Sequence, residues 1–117
     1  MNEDNILISV KASLGLPADY EPFDAEIVMD INTILSVVNQ LGIGKYAYEI
    51  SIESPGSWNE FLEDENFDGI SINAVKTYVA KRVMMLFDPP TSGILMNAMN
   101  ENIKELEWRI VCMKETP

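Results

Sequence analysis

Apolar residues recur at helical spacing through most of this chain. Ile6, Leu7, Val10 and Leu14 place a short helix over residues 2–14, ended by Gly15 and Pro17. Residues 16–23 form a connector with two prolines. Asp24 suits a helix N-cap, and Glu26 falls near the positive end of the dipole. Beyond them Ile27, Ile31, Ile34, Val38 and Leu41 step by four, three, four and three. Val28 and Leu35 widen that stripe, while Asp30, Asn32, Thr33, Ser36, Asn39 and Gln40 are polar. The pattern predicts an amphipathic helix that Gly42 stops.

The period then changes. Tyr46, Tyr48, Ile50 and Ile52 alternate with Ala47, Glu49 and Ser51, a period of two that suits a short extended segment. Ser54-Pro55-Gly56 turns the chain, and Ser57 caps a brief helix carrying Trp58, Phe61 and Leu62 as packing residues. From Ile70 to Phe87 the helical period returns. Ile72, Val75, Val79, Val83 and Leu86 make one stripe, and Ala74, Tyr78 and Met85 lie nearly opposite. A helix apolar on two sides is central to its fold or lies in an interface. Asp88-Pro89-Pro90 ends it, because a residue before proline is driven out of helical geometry. Thr91 or Ser92 caps the last helix, on which Met99, Ile103, Leu106, Ile110 and Met113 form a stripe too short for a coiled coil. The expected fold is therefore all-α. It is a compact bundle of four to five helices with a short extended segment near residues 46–52, in one domain over residues 1–117.

Composition narrows the chemistry. The chain has no histidine and a single cysteine, Cys112. It therefore lacks the usual general base and the commonest transition-metal ligand, and it can form no internal disulfide. Ser9, Ser36 and Ser71 have no imidazole to activate them, and no phosphate-binding or nucleophile-elbow motif is present. No catalytic residue, cofactor or metal is expected. No apolar run reaches the roughly 18 residues of a membrane span. The acidic Met1-Asn2-Glu3-Asp4 start is unlike a signal peptide, so a cytoplasmic protein is expected.

The net charge is −11, the reverse of the basic footprint a nucleic-acid reader needs. It is also unevenly placed. Residues 1–75 hold fourteen acids and two bases (Lys11 and Lys45), which is −12, whereas residues 76–117 hold five acids and six bases, which is +1. Asp64-Glu65-Asn66-Phe67-Asp68-Gly69 matches the opening of an EF-hand loop, but the closing position falls on Val75, which cannot ligate. A polar turn before a helix is the expected role of this stretch. Met84, Met85, Met96, Met99 and Met113 suit adaptable core packing. Trp58 is expected in the core, and Trp108 is open between core and interface.

Several segments, in order along nearly the whole chain, resemble the small head–tail connector (adaptor or head-completion) proteins of tailed phages. They are Ser9-Val10-Lys11, Leu14-Gly15-Leu16, Tyr20-Glu21-Pro22-Phe23-Asp24 and Asp30-Ile31-Asn32. They continue with Asn39-Gln40-Leu41-Gly42-Ile43-Gly44, Trp58-Asn59-Glu60-Phe61 and Ala74-Val75-Lys76-Thr77-Tyr78-Val79. Leu86-Phe87-Asp88-Pro89-Pro90-Thr91-Ser92 and Glu105-Leu106-Glu107-Trp108-Arg109 complete the set. The stretch around Glu63–Asp68 departs from the family pattern.

The resemblance implies a structural subunit of a ring of about twelve copies beneath the portal, by the portal's symmetry. Such a ring extends the DNA channel and carries the next neck or tail-completion protein. The expected partners are the portal protein, that neck protein and further copies of the chain. DNA passes through without specific binding, and no membrane is involved. The expected place is the virion neck, after assembly in the host cytoplasm. Unlike halves suit head-to-tail contacts, so acids of residues 1–75 are expected to meet Lys76, Lys81, Arg82 or Arg109 of the next subunit, with Trp108 as an anchor. Acids lining the channel would let duplex DNA slide. The rival reading is a small acidic helical adaptor or regulatory module that engages a basic partner. A weaker third reading is a calcium-responsive module.

Overall fold

The computed structural model describes residues 4–115, and among them the chain is an all-α bundle without a strand. Its helices are α1 (Ile6–Ser13), α2 (Asp24–Gln40), α3 (Trp58–Phe61), α4 (Gly69–Phe87) and α5 (Gly93–Glu115). α4 is central and packs against α1, α2 and α5. The radius of gyration is 13.8 Å, near the ~13 Å of a compact chain of this length. The body is a slab, 42 × 37 × 22 Å.

Local chemistry sets the helix starts. The Asn5 side chain accepts a hydrogen bond from the Ile8 amide (2.9 Å), Ser57 does the same for Glu60 (3.0 Å), and Asp68 for Ser71 (2.8 Å). Asp24 behaves differently from its expected role. Phe23 occupies the N-cap position of α2 without a side-chain cap bond, and Asp24 is the first helical residue. Its carboxylate turns inward to the buried Lys11 ammonium, 2.8 Å from Oδ1, and Oδ1 has no aligned hydrogen bond. Lys11 also donates to the Ala18 carbonyl (3.0 Å), which fastens the connector between α1 and α2.

The α2 stripe is buried as its spacing predicts, at Ile27, Ile31, Ile34, Leu35 and Val38. Each such side chain contributes about 1.5–3 kcal/mol on burial. α4 buries Val75, Tyr78, Val79, Ala80 and Val83 against its three neighbours, so its two apolar sides belong to a central helix. Leu86, placed in the stripe by spacing, is 52% exposed, because it lies at the last turn, where the chain leaves the body. On α5, Ile103 and Ile110 are buried, and Met99, Leu106 and Met113 pack at the edge of the core. Trp58 is buried, and its Nε1 donates to Ser9 Oγ (2.8 Å), so that serine serves packing.

Residues 43–57 pair in no ladder; the bridge there joins Asn5 and Ser57. Side-chain amides on α2 take the place of a strand partner. Asn32 accepts from the Ile50 amide (2.8 Å) and donates to its carbonyl (3.0 Å). Asn39 donates to the Ile43 and Lys45 carbonyls (3.0 and 3.2 Å) and accepts from the Ala47 amide (3.2 Å). The alternation is kept at Tyr48 and Ile50, which pack inward, while Tyr46 and Ile52 are exposed. Gly44, at φ +85°, lies against the Phe61 ring, where any Cβ would collide.

Candidate functional site

The residues that suggest an interface divide into two groups by what they touch. Arg82 and Arg109 have partners within the chain. Arg82 on α4 donates to the Tyr78 hydroxyl (2.8 Å) and stands 3.6 Å from Glu107 Oε2 on α5. The Tyr78 hydroxyl donates to the same carboxylate (2.7 Å). Burial, and then the bond to Glu107, push the Tyr78 phenol up to about 12. These three groups hold α4 against α5. Arg109 pairs along its own helix with Glu105 at 2.7 Å, an exposed contact worth a few tenths of a kcal/mol (~0.3–0.5).

Lys81 and Trp108 are placed differently. Lys76 and Lys81 lie on α4 beside two adjoining hollows of about 210 and 260 Å³ that share Ser13, Thr77 and Ala80. α1 walls this groove on one side, and Met99 of α5 closes its far end. Lys81 has no carboxylate partner among the described residues. Trp108 is 68% exposed on the outer side of α5, so it is not a core residue.

The acidic part of the chain carries features that periodicity does not show. Tyr46 is 89% exposed at the tip of the loop that Asn39 holds, next to Ala47 at φ +60°. Glu49 and Glu53 follow it on the surface. On α2, burial and the neighbouring Glu26 carboxylate raise the pKa of Asp30. Lys45 is paired with Glu63 at 3.0 Å, a contact that raises the lysine pKa. At the corner between α4 and α5, Ile94 and Leu95 are 82% and 61% exposed in a stretch, 93–100, without one charged residue.

The EF-hand-like stretch is used for local structure. Asp68 caps α4, and the amide bonds there, Ser71 first, hold its carboxyl below the usual range. Glu65 accepts from the Gly44 amide (3.1 Å), which ties this turn to the loop after α2. Among the described residues no three acidic or cysteine side chains gather where they would hold a metal ion. No helix among them is long and apolar enough to cross a membrane.

The helical body thus carries most of its acids on residues 1–75 and most of its bases on α4 and α5. No curated protein and no solved structure matches the chain. The family of structural phage connector proteins matches residues 6–117, which takes in every helix described above. The chain therefore belongs to the phage connector protein family.

Proposed function

We propose that this protein is a structural subunit of the neck of a tailed phage, forming a closed ring beneath the portal. The ring extends the DNA channel and gives the next neck or tail-completion protein its platform. The family match over residues 6–117 carries this reading. The split of charge supports it, with −12 over residues 1–75 and +1 over residues 76–117. A ring closes through two different patches on each copy. Among the bases considered for the contact, Lys81 is the best suited, because Arg82 and Arg109 already serve the fold of their own chain. By the portal's symmetry the ring holds about twelve copies. Acidic side chains facing its lumen would repel phosphate and let the duplex slide.

Electron microscopy of particles made with and without the gene tests this role. Separate heads and tails in the mutant are the expected result. Complete, normally joined particles without the protein would overturn it.

A further inference from the structure

Within the connector-ring reading, on which this inference rests, we propose that Tyr46 of one copy seats in the α1–α4–α5 groove of the next. The 46–53 loop is then the donor half of the ring contact, and the groove around Thr77 and Ala80 is the acceptor half.

The loop is built to present its tip. Both amide groups of Asn39 and Asn32 are bonded to its backbone between Ile43 and Ile50, at 2.8 to 3.2 Å. Ala47 holds a left-handed φ of +60°, a conformation that a residue with a side chain keeps where its surroundings impose it. Tyr46 is nevertheless 89% exposed. A tyrosine whose flanking backbone is tied down has much apolar area to bury and no loop left to order, which are the properties of an interface anchor.

The groove is complementary in size, polarity and charge. Its two hollows, about 210 and 260 Å³, share Ser13, Thr77 and Ala80. Met84 and Met99 supply an adaptable apolar wall, and the Ser13 and Thr77 hydroxyls suit a phenol. Among the described residues no carboxylate lines either hollow, whereas Lys81 lines the second. The loop behind Tyr46 carries Glu49 and Glu53. Lys81 therefore meets a glutamate when the phenol enters the hollow.

The two halves are also separate in the fold. Among the described residues the two hollows are lined from α1, α4 and α5, and no residue of the 46–53 loop lines either. Separate donor and acceptor patches are what a head-to-tail contact uses, whereas a two-fold dimer would pair one patch with itself.

Paired cysteines in the phage itself test the contact. Tyr46→Cys and Thr77→Cys are introduced singly and together, with Cys112→Ser, and purified particles are treated with a short bismaleimide, which spans the length of the removed phenol, and run on a denaturing gel. The expected result is a ladder of cross-linked oligomers from the double variant and monomer from each single one. A double variant that is present in the particles yet runs as monomer overturns the groove assignment and leaves the ring reading standing. Absence of the protein from wild-type particles overturns both. A charge swap gives an independent readout. Lys81→Glu and Glu49→Lys should each lower the yield of tailed particles, and the double variant should recover it. Equal yields from all three would contradict the contact.

Discussion

Replacing Lys11 by methionine should destabilise the protein more than any other exchange of one polar group in the chain. The ammonium is 1% exposed and lies 2.8 Å from Asp24 Oδ1 and 3.0 Å from the Ala18 carbonyl. Methionine keeps much of the aliphatic stem, so the loss is chiefly electrostatic. It leaves a buried carboxylate without its counter-charge and a carbonyl without its donor. Breaking one side of such a pair costs about 3–5 kcal/mol, against a total stability of about 5–15 kcal/mol. With about 2.1 cal/mol/K of unfolding entropy per residue, that loss lowers Tm by about 12–20 °C for this length. Removing both charges, with Lys11→Met and Asp24→Leu, leaves no buried charge unpaired, only the Ala18 carbonyl without its donor, and should recover most of the loss. Urea unfolding followed by far-UV circular dichroism measures the parent and both variants. A Lys11→Met protein within about 1 kcal/mol of the parent, the range of a solvated surface pair, would refute the claim that this pair is dry and fastens α1, the connector and α2 together.

Other perturbations probe other parts of the fold. Gly44→Ala drives a methyl group into the Phe61 ring at a positive φ, and should cost about 1–3 kcal/mol from overpacking alone; an unchanged urea midpoint would contradict the close approach. The folded Tyr78 phenol titrates near 12, above its ordinary value of 10.0, so its contribution is complete below pH 10. Stability should fall as pH rises from there towards 12, and Tyr78→Phe should flatten that fall; a parallel pH profile for the variant would contradict it. Asn5→Ala removes the cap of α1 and should cost about 0.5–2 kcal/mol by chemical denaturation. Calcium should leave Tm unchanged, because a ligand that binds the native state must raise it; a rise would restore an ion site near Asp64–Asp68.

Much of the helical frame was legible in the order of residues, and the reasons are local. The α2 stripe, the Ser57 cap and the Pro89-Pro90 stop depend on neighbours within a turn or two, and each appears where the pattern puts it. What depends on distant partners was not legible. Asp24 has the composition of a cap, but a lysine thirteen positions earlier draws it inward. The alternation at 46–52 looks like a strand, yet its backbone partners are the Asn32 and Asn39 side chains, which periodicity counts only as polar positions. Arg82 looks available to a neighbour until Tyr78 and Glu107 are seen to hold it. The same limit applies to the candidate contact. Lys81 and Trp108 could be picked out as a base and an aromatic, whereas the exposure of Tyr46 follows from how its loop is tied down.

The central claim, that this chain is a ring subunit at the head–tail junction, is tested most directly by cryo-electron microscopy of the neck in intact particles. The account expects a closed ring of about twelve copies directly beneath the portal, with acidic side chains towards the DNA. A neck without this chain, or a lumen lined by its lysines and arginines, would contradict the account.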